Sequence, residues 1–342
     1  MNKIRKPILD VLQGREPEHR PVWLMRQAGR YLPEYREIRA KSKNFLNMCL
    51  TPDLATEITL QPIRRFHMDA AILFADILLI PMALGVPLDF REGEGPVLQE
   101  VQEKELEKLV YDAKKVEAVF ETVRRVKKEL PPQTALIGFC GSPWTVACYM
   151  IDGNSRSHFS KTRSWAQDKP ELLDKIIHTL IDASEKYLVS QINAGAEVIQ
   201  LFDSWAGLLS GQNFTRFVIE PTRLLVERIK KIHPSIPIIG FPREAREGYG
   251  PYIRETGVDG LSIDQSLDLD IAKRDLQSIK PLQGNLDPSL LVKGGKEMQE
   301  ALAQMLTKMG PCHIANLGHG VVPETPVEHV RDMVNFVQAF KI

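Results

Sequence analysis

The chain of 342 residues is poor in cysteine and aromatic side chains, balanced in charge, and free of any long uninterrupted apolar run. Four cysteines, Cys49, Cys140, Cys148 and Cys312, show no Cys-x-x-Cys spacing and are too sparse for a disulfide framework. Reduced, mostly buried thiols are expected. Lysine plus arginine and aspartate plus glutamate stand at 44 each, so the basic excess of a nucleic-acid or membrane-surface protein is missing. The basic N-terminus is followed only by Ile8 and Leu9 before Asp10, which leaves no apolar core for a secretory leader and points to a cytoplasmic protein. The most apolar stretch, Ala70 to Leu88, contains Asp76, Pro81 and Pro87. A membrane helix would tolerate these poorly, so a buried strand running into a loop is expected instead. His-Glu-x-x-His, zinc-spaced Cys/His clusters, the P-loop, the nucleophile elbow and Gly-x-Gly-x-x-Gly are all absent, so neither metal nor other cofactor is expected. No Ser/Gly linker, like-charge block or low-complexity tract divides the chain, and a single domain over residues 1–342 is expected.

What is present is a repeating pattern. Eight short apolar runs, rich in β-branched residues, are separated by helical patterns: Val22 to Met25, Ala70 to Phe74, Ala135 to Phe139, Glu197 to Phe202, Ile236 to Phe241, Val258 to Ile263, Pro281 to Gly284 and Cys312 to Leu317. Leu172, Leu173, Ile176, Ile177, Leu180 and Ile181 lay one apolar stripe along an intervening helix. Asp168 with Glu171, and Thr325 with Glu328, have capping-box spacing, while Pro52 and Pro326 suit a first helical position. Gln102 to Leu130, alternating Lys and Glu, reads as a solvated surface helix. Eight βα units in succession predict a (β/α)8 barrel of the TIM type, an α/β fold with its chemistry at the C-terminal ends of the strands.

Polar residues collect at those ends. After the first run comes Arg26-Gln27-Ala28-Gly29-Arg30, and from Arg26 to Lys43 there are six basic residues against Glu34 and Glu37. Small Ala28 and Gly29 between two guanidiniums leave room for an anion to reach both forks and the backbone; the plain alternative is surface arginines paired with Glu34 or Glu37. Asp76 follows the second run among apolar neighbours, where an unpaired carboxylate costs several kcal/mol. Its partner is either a cap or salt bridge, or a cationic or N–H-rich ligand. Tyr149 lies after the third run and Ser204 after the fourth; by default they are a core tyrosine and a helix cap. His319 stands between two glycines, with little packing to serve, which favours ligand contact or an anion-binding turn. Together these residues describe one pocket for an anionic ligand.

The segments Arg26 to Arg36, Gly141 to Asp152, Phe202 to Gly207, Leu282 to Pro288 and Ala315 to Gly320 resemble the uroporphyrinogen decarboxylase family over nearly the whole chain. The resemblance implies a (β/α)8 barrel, a homodimer with facing clefts, and cofactor-free removal of carbon dioxide from the four acetate side chains of uroporphyrinogen III, giving coproporphyrinogen III for haem synthesis. It implies that Arg26 and Arg30, with the Gln27, Ala28 and Gly29 backbone between them, bind substrate carboxylates and that His319 contacts a propionate. Asp76 matches the aspartate that holds the pyrrole N–H groups and stabilises the transition state; Tyr149 and Ser204 match further substrate-binding positions, and Arg26 is a candidate proton donor. Ala75 stands where many relatives carry Ser. A related corrinoid-type barrel methyltransferase would need a His-x-Cys zinc pair, which none of the eight histidines supplies. A non-catalytic tetrapyrrole carrier would share the arginine loop and His319 without requiring Asp76.

Overall fold

The computed structural model describes residues 4–91 and 95–341. Seven of the eight expected runs are strands of one parallel sheet: β1 (Ala70–Ile72), β4 (Ala135–Gly141), β5 (Val198–Asp203), β6 (Ile238–Pro242), β7 (Gly260–Ser262), β8 (Leu282–Leu286) and β9 (His313–Leu317). Between β1 and β4 the chain adds an antiparallel hairpin, β2 (Leu88–Arg91) with β3 (Gly95–Leu98), which the periodicity did not signal. The sheet order β1-β4-β5-β6-β7-β8-β9 follows the chain, and every neighbouring pair is parallel. All strand C-termini therefore gather at one end. Burial follows the same logic, since strands covered on both faces read as continuous apolar runs; all seven residues of β4 are buried.

The first run behaves differently. Only Val22 is bridged, to Ala315 of β9, and its carbonyl accepts the Asp69 N–H at 2.9 Å just before β1. The N–H groups a ladder would use are taken by side chains: Asp69 Oδ2 at Val22, Gln27 Oε1 at Leu24 and Asn316 Oδ1 at Met25 (2.9, 3.1 and 3.1 Å). Composition marks this segment as a strand, and toward β9 it keeps a fragment of ladder, with Trp23 N–H on Ala315 O and Ala315 N–H on Pro21 O, but side chains take its other N–H groups. It is also tied to the interior of the sheet. The Trp23 indole N–H donates to Gln283 Oε1 at 2.8 Å, and Gln283 in turn donates to Gln200 and Ser262.

The helices pack outside the sheet. In Pro170–Ala194 the predicted stripe, Leu172 to Ile181, is buried, each such side chain contributing about 1.5–3 kcal/mol, and the helix packs against Pro143–Asp152, Glu220–Ile232, Glu117–Glu129 and β4. The expected caps fare less well. Asp168 ends the preceding helix, Ser160–Asp168, and accepts from Ser164 Oγ, because Pro170 at the first helical position already starts the next one. The Thr325 hydroxyl is buried with no partner among the described residues, and Pro326 is the cap of Val327–Ala339 instead of its first residue, whereas Pro52 does open Pro52–Phe66. The 102–130 region is two 3-10 turns followed by Glu117–Glu129, which buries Val119, Phe120, Val123 and Val126, so its charges cover one face only. In Ala70 to Leu88 the expected loop after β1 contains a short helix, Leu79–Ala83. All four thiols are free and Cys49, Cys140 and Cys148 are buried. Among the described residues no helix is long and apolar enough to cross a membrane.

Candidate active site

Asp76 lies four residues past the end of β1, Tyr149 on the helix Pro143–Asp152 after β4, Ser204 directly after β5, and His319 two residues past β9. Parallel strand order puts all of them at the same end of the sheet. The Arg26 loop reaches that end through the Val22 segment. Its position is fixed by Gln27, which is fully buried: Gln27 Nε2 donates to the Ala70 carbonyl of β1 at 3.1 Å, and its own carbonyl accepts the Tyr31 hydroxyl at 2.7 Å. The Gln27 side chain and N–H are thus spent on holding the loop, the N–H donating to Leu24 O at 3.0 Å. The N–H groups of Ala28 and Gly29 carry no hydrogen bond among the described residues.

Glu34 is not the partner of either arginine. It forms a two-pronged ion pair with Arg65 (2.7 and 2.9 Å), and among the described residues neither Arg26 nor Arg30 has a carboxylate within ion-pair distance. Arg26 adopts a left-handed backbone conformation with φ 61°, and its stem runs against Gly320. A Cβ at Gly320 would stand 2.4 Å from Arg26 Cδ. The glycine after His319 is therefore the space in which Arg26 lies. The Arg26 side chain is exposed, yet enough protein surrounds its guanidinium for it to sense Asp76, Tyr149, Arg243 and Arg30.

Asp76 is partly accessible, yet protein surrounds it on nearly all sides. Its Oδ1 accepts the Leu78 N–H at 2.8 Å, a local turn bond, and Oδ2 makes no hydrogen bond among the described residues. Burial raises its carboxyl to about 6, against the Leu78 N–H and the Arg26 charge, which pull it down. The Asp76 loop approaches β4 closely: a Cβ at Gly141 would meet Ile77 Cβ at 2.9 Å and Val146 Cγ2 at 2.7 Å. Burial also lifts the Tyr149 hydroxyl, which faces the Trp205 indole and lies in range of Asp76 and Arg26. The ring of Phe159 links Tyr149 to Trp205, with centroids 5.0 and 4.9 Å away. Ser204 precedes that tryptophan and makes no hydrogen bond among the described residues, so it is not the helix cap its position suggested. Burial, then Arg26 and Arg243, lower His319 to about 4, which leaves it neutral at pH 7.

Two groups escaped the sequence reading. Arg243 directly follows β6, and Asp264 lies two residues past β7. The rule that found the others, polar residues just after an apolar run, also covers Arg243 in Gly240-Phe241-Pro242-Arg243. Asp264 accepts the Glu244 N–H, the Tyr249 hydroxyl and both the N–H and hydroxyl of Ser266. Despite burial, those bonds, led by Ser266 and Tyr249, hold its carboxyl below the usual range. It pins the loop that carries Arg243. Among the described residues no three His, Cys, Asp or Glu side chains gather as a metal site.

Comparisons with known proteins bear on the chain as a whole. Residues 3–340 match the family model described as uroporphyrinogen decarboxylase (URO-D). A uroporphyrinogen decarboxylase of Granulibacter bethesdensis is 49% identical over 341 residues, spanning 98% of this chain and 99% of that protein. One of Rhodospirillum rubrum is 47% identical over 342 residues, covering 99% and 98%. Among solved structures, a methyltransferase from Methanosarcina mazei superposes with a TM-score of 0.80 at 19% identity, covering 98% of both chains, a likeness of fold alone. A match over almost the full length, joined to identities near one half, places this chain in the uroporphyrinogen decarboxylase family.

Proposed function

We propose that the chain removes carbon dioxide from the four acetate side chains of uroporphyrinogen III and yields coproporphyrinogen III. One observation carries the assignment: the Asp76 carboxylate lies within electrostatic reach of Arg26, and among the described residues neither Arg26 nor Arg30 is ion-paired to a carboxylate. The substrate has the inverse pattern, four N–H groups at its centre and eight carboxylates around it. Folded into a cup, it offers its pyrrole N–H groups to the free Asp76 oxygen while its side chains reach Arg26, Arg30, the Ala28 and Gly29 N–H groups and neutral His319. Tyr149 and Ser204 border the same end of the cleft and supply hydroxyls to the macrocycle.

The chemistry needs no outside electron sink. A proton added to a pyrrole ring carbon lets the electrons of the C–CO2 bond flow into the ring; carbon dioxide leaves, the exocyclic carbon takes up a proton, and loss of the ring proton restores the aromatic pyrrole. In each cycle one proton replaces one carbon dioxide. Asp76 opposes the positive charge that develops on the pyrrole, with the logic of an oxyanion hole in reversed sign. Desolvation by the protein packed around the guanidinium, and then the Arg243 and Arg30 charges, lower the pKa of Arg26, the direction required of a proton donor.

The scaffold belonging to this reading is a single closed (β/α)8 barrel, with the Val22 segment as its remaining stave. Its bonds to Ala315 on one side and Asp69 on the other support that closure. The family resemblance adds a cytoplasmic homodimer, testable by sedimentation. Incubation of the purified protein with uroporphyrinogen under reducing conditions should give seven-, six-, five- and finally four-carboxylate products in sequence. Binding without release of carbon dioxide would favour the carrier instead. Arg30→Ala should raise KM at least tenfold, since a charge-assisted hydrogen bond contributes about 1.5–3 kcal/mol. An unchanged KM would count against its role as a carboxylate clamp.

A further inference from the structure

Counted from the Val22 segment, which bonds to Ala315 on one side and Asp69 on the other, β6 is the fourth strand in either direction. Arg243, directly after β6, therefore stands on the wall opposite the Arg26 loop. Yet its charge is felt at both Arg26 and His319, so the guanidiniums face each other across the cleft.

The backbone under Arg243 is fixed. Its N–H donates to Asp203 O and Phe241 O at 3.1 Å each. The next residue, Glu244, is held in the left-handed region at φ 60°, with its N–H on Asp264 Oδ2 at 2.6 Å. The side chain is far less satisfied. Nη2 is paired with Glu244, Nε is buried with no hydrogen-bond partner, and Nη1 makes no bond among the described residues while remaining open to solvent. The Arg243 side chain is 19% exposed and that of Glu244 51%. An ion pair with so exposed a partner contributes little and is readily exchanged.

We infer that Arg243 is a further carboxylate-binding residue, gripping a side-chain carboxylate of the porphyrinogen on the wall opposite Arg26 and Arg30, with Glu244 as the counter-ion that this carboxylate displaces. The inference rests on the proposed substrate. It sharpens the picture of how eight carboxylates are held, because a macrocycle seated on Asp76 projects its arms toward both walls and a grip on one wall alone would leave it tilted. A planar fork suits the task better than an ammonium, since it can meet both carboxylate oxygens at once.

The test uses the full chain and two readouts. Titration with uroporphyrin, the stable oxidised octacarboxylate, followed by quenching of tryptophan fluorescence, measures binding whether or not the protein turns over. Arg243→Gln should weaken that binding and raise the KM for uroporphyrinogen at least tenfold, with kcat altered far less. Arg243→Lys should recover part of the loss. Glu244→Gln, which removes only the competing charge, should tighten binding two- to threefold. Unchanged uroporphyrin affinity in Arg243→Gln would overturn the inference, as would a loss in Glu244→Gln equal to that in Arg243→Gln, which would mark the pair as structural. Absence of turnover in the unaltered protein strikes the proposed function instead, and the binding titration still decides the role of Arg243.

Discussion

Asp76→Asn should lose roughly 10²–10³ in kcat, about 3–4 kcal/mol of transition-state stabilisation, and at the same time gain stability. The two effects have one origin. Burial raises the Asp76 carboxyl to about 6 from an ordinary 3.8, so the folded protein holds this proton more tightly than the unfolded chain does. The cost of keeping Asp76 ionised builds as pH rises above 3.8 and is complete above about 6. Two pKa units correspond to at most about 3 kcal/mol, and partial access of solvent makes about 1–2 kcal/mol a fair expectation. Asparagine keeps an oxygen for the Leu78 N–H and carries no charge to desolvate. Its melting temperature should therefore exceed that of the parent at pH 7 to 8, with the difference vanishing below about pH 4. The parent enzyme should also lose kcat/KM below pH 6 as Asp76 takes up its proton, an acid limb that Asp76→Asn should lack. Near-normal turnover in Asp76→Asn would remove Asp76 from the mechanism, and a lower melting temperature would mean that the carboxylate stabilises the fold after all.

The site candidates that stand out in sequence are those whose environment is local. Asp76 stands alone among apolar neighbours, His319 between glycines, and Arg26 and Arg30 around Ala28 and Gly29; each contrast survives without knowledge of the fold. The buried parallel strands were legible for the same reason, since burial on both faces writes an unbroken apolar run. What could not be read depends on which of several possible partners the folded chain supplies. Val22 to Met25 has a strand's composition, but Asp69, Gln27 and Asn316 take its N–H groups. Gln27 itself was expected to lend its backbone to a ligand, and only the three-dimensional path reveals that its amide bridges to Ala70. Asp168 could not cap a helix that Pro170 starts two residues later. Arg243 followed the strand-end rule yet was overlooked, because nothing nearby in sequence hints that its charge reaches Arg26.

Arg26→Ala should cost roughly 10²-fold in kcat/KM, the upper part of the range for losing one bidentate charged contact, and should also move the pH profile. The Arg26 charge is one of the influences holding Asp76 down near 6. Without it the carboxyl titrates higher, so the acid limb of kcat/KM should shift to higher pH. Arg26→Lys separates the two functions: an ammonium preserves the charge, leaving the limb near pH 6, but it lacks the fork, so KM should still rise. Gly320→Ala approaches the same machinery from the other side. Its new Cβ would lie 2.4 Å from Arg26 Cδ, so the arginine must swing away while its charge remains in the cleft. We expect a loss of about tenfold, with the acid limb displaced less than in Arg26→Ala. Because the glycine acts only through the arginine, the double variant Arg26→Ala with Gly320→Ala should be no worse than Arg26→Ala alone, a strongly non-additive pair. Additive losses would mean that Gly320 touches the substrate directly, and an acid limb unmoved in Arg26→Ala would mean that the arginine binds carboxylates without tuning Asp76.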